Sequence, residues 1–155
     1  MADRVSASIT IGGTLPPSPL PPFAEALANE GLSTEWDGEP FALGDLPEGE
    51  PLALMAHQVA WGRFEGLEAF CIAHGLFFAR WSGAYACQWG AERTVFTGSG
   101  EPQSYAADED DYILMGRCTA ERLGSYAAII AHFDAADFAV PPLVITPERE
   151  EASNG

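Results

Sequence analysis

No lysine or arginine occurs between Arg4 and Arg63, so eight carboxylates in that stretch must fold without a permanent counter-charge of their own. They are Glu25, Glu30, Glu35, Asp37, Glu39, Asp45, Glu48 and Glu50, and they supply half of the formal net charge of −16. A second cluster, Asp108-Glu109-Asp110-Asp111, sets four acids side by side, and all seven cations of the chain are arginine. Like charge at this density destabilises a compact state by self-repulsion while it favours solubility and projects a strong negative field. A fold for this chain therefore needs a substantial apolar core, and the composition provides one. Hydrophobic residues make up 47% and aromatic residues 11%, including Trp36, Trp61, Trp81 and Trp89. Charge alone does not imply disorder when that much surface can be buried.

The length of 155 residues predicts one domain over 1–147, with 148–155 as a frayed acidic tail. No apolar run is long enough to span a membrane. The segment Met1-Ala2-Asp3-Arg4-Val5 lacks a basic stretch leading into an apolar one, so no secretory signal is expected. Cys71, Cys87 and Cys118 are odd in number, widely spaced and in apolar settings, which fits a reducing compartment and argues against disulfides. A soluble cytoplasmic protein is the expectation. Carboxylates repel phosphates, so direct nucleic-acid binding and docking on anionic membranes are disfavoured.

Residues Val5–Ile11 alternate apolar and polar, with Val5, Ala7, Ile9 and Ile11 on one face of a half-buried strand. Gly12-Gly13 and the prolines that follow are expected to end it. Pro21-Pro22 launches a helix that closes at Gly31. Leu32–Trp36 reads as a strand, 37–51 as an acidic loop and Leu52–Ala56 as a strand. A helix through Phe64, Leu67, Phe70, Cys71 and His74 closes at Gly75. Leu76–Trp81, Tyr85–Trp89, Arg93–Thr97 and Tyr112–Met115 are further strands, and 98–111 is a polar loop. Thr119 caps a helix over about 120–134, with Leu123, Ala127, Ile130 and Ala131 inward. Pro141-Pro142 precedes a short Leu143–Ile145 segment. The order strand–helix–strand, twice, predicts an α+β fold of the split β-α-β (ferredoxin-like) kind. Its sheet would be mixed or antiparallel, with helices on one face and a C-terminal helix added.

Chemistry-bearing patterns are sparse. Cys71 and His74 share a helix at i, i+3, but a structural zinc site needs four ligands, usually in two close pairs, and no second pair exists. No cysteine lies in an electropositive setting that would lower its pKa. Residues 108–111 lack the ligand spacing of an EF-hand loop. Gly12-Gly13 leads into Thr14-Leu15-Pro16-Pro17, with neither a GxGxxG nor a GK[ST] pattern, so it is a turn and not a phosphate cradle. No catalytic residue, metal or cofactor is assigned.

The acidic field remains. A folded body that presents carboxylates as a duplex presents phosphates can occupy a groove lined by Lys and Arg, and opposite charge speeds that encounter. The candidate partner-binding residues are Glu35, Asp37, Glu39, Asp45, Glu48, Glu50, Asp108, Glu109, Asp110 and Asp111. Trp36 and Tyr112 are candidate aromatic anchors within that surface, or else core residues. In size, charge and α+β plan the chain resembles the small acidic proteins of phages and plasmids, among them anti-CRISPR and antirestriction inhibitors that mimic nucleic acid. The stretch Leu67-Glu68-Ala69-Phe70-Cys71-Ile72-Ala73-His74-Gly75 looks like a helix of mobile-element proteins. No family site is carried over residue by residue. The resemblance implies an inhibitor that binds a basic protein surface, such as that of a CRISPR effector complex, and blocks its nucleic-acid groove. Two alternatives stay open: an acidic assembly domain whose charge serves solubility, and a small enzyme with a Cys/His or carboxylate site. Ile113-Leu114-Met115 and Phe133–Val140 could supply a homodimer interface.

Overall fold

The alternation that begins at Val5 organises the whole sheet. A computed structural model describes residues 4–36, 38–42, 46–60, 62–84 and 90–145. Its elements are β1 (Arg4–Leu15), α1 (Leu20–Asn29), β2 (Leu52–Ala60), α2 (Glu65–His74), β3 (Phe77–Ser82), β4 (Glu92–Phe96), β5 (Gln103–Ala106), α3 (Arg117–Leu123), α4 (Tyr126–Ala136) and β6 (Leu143–Ile145). The expected strand Tyr85–Trp89, the tail 148–155, and Asp37, Asp45 and Cys87 lie outside the described residues.

The sheet runs β2-β1-β3-β4-β5 with every neighbour antiparallel, and β6 pairs in parallel with the far end of β1. Val5, Ala7, Ile9 and Ile11 are buried, as their spacing predicts, while Ser6, Ser8 and Thr10 turn to the other face. Ile11 stands opposite Phe78, and Phe78 opposite Phe96, so one register row crosses three strands in apolar contact. Phe23 and Leu27 of α1, with Leu67 and Cys71 of α2, close over that row. Each fully buried Phe or Leu contributes about 1.5–3 kcal/mol relative to exposure, which offsets the charge repulsion.

The α+β class holds, but the two-fold split plan does not. β2 and β3 both run antiparallel to β1 and flank it, so they are parallel to each other and α2 crosses over between them. β1 and β2, joined through α1, are instead adjacent and antiparallel, so the first strand–helix–strand unit is not split. Nor do the helices share one face. Glu68 of α2 reaches Arg80 on the face that carries Ile9. α4 lies on the opposite face: Arg93 Nε donates to the Ala136 carbonyl at 2.7 Å, and the His132 ring meets Tyr105 edge-on.

Several boundaries differ from those the sequence predicts. β1 passes through Gly12-Gly13 and continues to Leu15. A Cβ at Gly12 would fall 1.7 Å from the Pro141 carbonyl oxygen, so glycine here admits the chain that leads into β6. Leu32–Trp36 is no strand; Ser33 alone bridges to Met55 and Pro40. Tyr112–Met115 forms only the bridge from Ile113 to Ala107, and β5 lies within the expected loop 98–111. The single helix over 120–134 is two, divided at Gly124 in a left-handed conformation (φ 81°). Thr119 sits inside α3 and not at its cap, and the side-chain cap belongs to Ser125, whose Oγ accepts from the Ala128 N–H. Ala127, Ile130 and Ala131 are exposed, because Phe133 and Ala136 turn inward instead.

Candidate partner-binding surface

The exposed field depends first on what the cations do. Arg80 projects from β3 into the protein, nearly fully buried. Its Nε lies 2.7 Å from Glu68 Oε2, a close ion pair without the alignment of a linear hydrogen bond. The same guanidinium donates to the Gly62 carbonyl and the Thr94 hydroxyl, and Glu92 stands 3.6 Å away. Glu68 also accepts from the Phe64 N–H, tying the start of α2 to the sheet. Burial still raises the Glu68 pKa, outweighing the Arg80 guanidinium. Arg93 pairs with Asp111 at 2.8 Å, and Arg117 pairs with Glu121 along α3.

The acid run 108–111 is an internally bonded turn. Asp108 Oδ1 accepts from the N–H groups of Asp110 and Tyr112. The Asp108 carbonyl accepts from Trp81 Nε1, and Glu109 Oε2 accepts from the Ala84 N–H. Asp111 adopts φ 64° and directs Oδ2 to Arg93; burial raises its pKa despite that pair. Of the four side chains only Asp110 carries no such bond among the described residues. The sequence predicts a polar loop with partner-binding acids here, yet three of its carboxylates hold the turn together. Glu30 sets its carboxylate beside the start of α2, near Gly66, and burial raises its pKa against the pull of the Leu67 and Gly66 N–H groups.

Glu35, Glu39, Glu48 and Glu50 behave differently. All four are exposed, and their carboxylates form no hydrogen bond or ion pair among the described residues. Glu35 and Glu39 lie on the loop that Ser33 fastens to the outer edge of β2, through Ser33 N–H to Met55 O and Met55 N–H to Ser33 O. Glu50 precedes β2, and its carbonyl accepts from the Leu143 N–H of β6. The 108–111 turn is anchored instead on β3 and β4, through Trp81 and Arg93. Strands lie about 4.8 Å apart, so roughly 14 Å of sheet separates β2 from β4. Those of the predicted acidic residues that are described thus fall in two regions of the sheet.

Both candidate anchors stand outside the core: Trp36 is 43% exposed and Tyr112 69%. The Trp36 ring packs against His57 of β2 at 4.8 Å between centroids. His57 and Gln58 together oppose Ser6, a bulge in which Gln58 adopts φ 59° and His57 Nδ1 meets Ser6 Oγ at 2.7 Å. Sequence reasoning gave His57 no role. The only signal was indirect: three hydroxyls, Ser6, Ser8 and Thr10, alternate on the face of β1 opposite Ile9.

Cys71 and His74 share α2 but not an environment. Cys71 is buried, with its thiol pushed up to about 12 by burial first and then by Glu68, whereas His74 is exposed and packs on Phe70. The i, i+3 pair therefore faces two different surroundings. Among the described residues no group of three His, Cys, Asp or Glu is placed to hold a metal, and no helix is long and apolar enough to cross a membrane. A groove of about 380 Å³ between Leu46–Gly49 and β6 is aliphatic apart from Glu48. In the proposed dimer segments, Leu114 is exposed, whereas Phe138 stacks on Phe77 of β3 and Ala136 is buried. No protein-family model, curated protein or solved structure matches the chain.

Proposed function

We propose that the chain is a cytoplasmic, acidic inhibitory binding protein that occupies a basic, nucleic-acid-binding groove of a partner such as a CRISPR effector, without binding nucleic acid itself. One observation carries this reading. Arg80, Arg93 and Arg117 are each paired with carboxylates, while Glu35, Glu39, Glu48 and Glu50 stay exposed and unpaired among the described residues. The four free carboxylates leave a net negative field around β2, with exposed Arg63 just past its end as the nearest free cation in sequence among the described residues, and fields of this kind steer association with cationic clefts. The binding surface moves accordingly from the 108–111 turn, three of whose carboxylates have internal work, to the loops around β2 and β6.

The test is competition with duplex DNA for purified effector complexes, at about 50 and 200 mM salt, where screening separates exposed charge contacts from buried ones. The parent should displace DNA, with an association rate that falls as salt rises. The quadruple variant E35Q/E39Q/E48Q/E50Q should associate about tenfold more slowly. Unchanged inhibition by that variant would remove the reading. The alternative, charge that serves only solubility, is favoured by the division of the acids between two regions of the sheet. It predicts that no effector is inhibited and that the quadruple variant differs only in aggregation.

A further inference from the structure

We infer that Trp36, with Glu35 and Glu39, forms a receptor for one arginine side chain of the basic partner. This rests on the acidic-inhibitor reading above and names the group that the β2 side of the molecule takes. The loop is built before any partner arrives. Ser33 is bonded in both directions to Met55, the Phe41 N–H donates to the Leu32 carbonyl, the Gly38 N–H to the Glu35 carbonyl at 3.1 Å, and Ser33 Oγ donates to Glu35 O at 2.7 Å. Trp36 therefore sits on a closed turn, and little order remains to be gained on binding, which is the condition for an efficient anchor.

One side of the indole is already occupied. His57 lies against it at 4.8 Å with 32° between the ring planes, and the Ser6 hydroxyl fixes the imidazole through Nδ1. That arrangement requires the β2 bulge, whose Gln58 holds a positive φ. That backbone region favours glycine, so the bulge holds Gln58 under strain while it aims His57 at Trp36. The ring remains 43% exposed after this packing, which leaves aromatic surface for a ligand.

The charge around it selects the ligand. Glu35 and Glu39 are exposed on the same loop, and no lysine or arginine occurs from residue 5 to residue 62. An indole in a negative field attracts a cation over its ring. A guanidinium fits better than an ammonium, because it is planar, stacks on aromatic faces and pairs with carboxylates through its fork of N–H groups. A neutral aromatic or a sugar would use the ring and gain nothing from the two carboxylates.

The experiment titrates the full chain with a nine-residue arginine peptide, and separately with the lysine peptide of equal length, by calorimetry at low salt. The Trp36 indole N–H resonance is followed in parallel. The parent should bind the arginine peptide more tightly than the lysine peptide, with the Trp36 resonance shifting. W36A should lose about 5- to 30-fold in affinity for the arginine peptide and erase the preference over lysine. W36F should fall between the two, and D134N, on α4 away from the loop, should match the parent. Because Trp36 is exposed, its truncation tests the contact and not the core. If W36A binds the arginine peptide as the parent does while E35Q/E39Q/E48Q/E50Q weakens it, the arginine receptor is overturned and the acidic reading survives. Equal binding of the two peptides by the parent also overturns it. Binding of neither peptide overturns both.

Discussion

Replacing Arg80 by Met tests whether the buried ion pair governs stability. The guanidinium is 4% exposed and Glu68 13%, so R80M leaves a carboxylate desolvated without its partner. Breaking such a pair by removing one side costs about 3–5 kcal/mol. The Gly62 carbonyl and Thr94 hydroxyl lose their donor as well, which keeps the cost from falling below that range. For a chain of this size each kcal/mol moves the melting temperature by about 2–4 °C, so R80M should melt roughly 10 °C lower. E68L alone strands Arg80 in the same way. The double variant R80M/E68L removes both charges and should recover at least about 1.5 kcal/mol relative to the sum of the singles, the signature of direct coupling. The sign of the pH effect is also fixed. Burial raises the Glu68 pKa, so its favourable contribution is full below the ordinary carboxylate value and is lost as pH rises through the folded one. Without Arg80 the pKa rises further, so the deficit of R80M against the parent should shrink between pH 7.5 and pH 5. Urea denaturation of the four proteins at both pH values is the assay. Additive singles, or a deficit that is the same at both pH values, would refute the argument.

Four other outcomes follow from contacts already described. G12A forces a methyl group against the Pro141 carbonyl, so amide exchange should accelerate at Gly13 and Leu143, whose N–H groups bond to Pro142 and Glu50, while β3 and β4 stay protected. D111N should destabilise by about 1 kcal/mol, because Arg93 loses its charged partner, whereas D110N should stay within about 0.5 kcal/mol of the parent by urea titration. Glu30, Glu68 and Asp111 all have raised pKa values, chiefly from burial. Their contributions are present at low pH and lost as pH rises, so the melting temperature should be higher near pH 5 than near pH 8 even at high salt. S125A removes the cap of α4 and should cost about 1 kcal/mol, seen as faster exchange in the first turn of that helix.

Periodicity made the local elements legible. The Val5–Ile11 alternation put the right residues inward, and Gly31 and Gly75 end α1 and α2 where expected. What stayed hidden depends on partners remote in sequence. Gly12-Gly13 carries the same letters whether a strand stops or another segment presses close, and only Pro141 decides between them. α4 has Ala or Ile on most of its circumference, so spacing could not choose its inward face; Arg93 and Tyr105 beneath it did. The acids of 108–111 were plain as charge, but the Ala84 N–H and Arg93 that use them come from other strands. Trp36 was legible as an anchor candidate, while the histidine behind it was not, because a bulge leaves no pattern when its outlying residue is Gln58.

β1 binds β2 and β3 along most of its length and then hands its last three residues to β6, whose residues pair at Gly13, Thr14 and Leu15. β1 thus needs a segment 130 residues further along the chain, at Leu143, to finish its pairing at Gly13. During synthesis this strand must wait, with its tip open, until the stretch past Pro142 has emerged. Chain termination short of Leu143 would leave a vacant docking slot on β1, an invitation to proteases and chaperones that pairing with β6 withdraws.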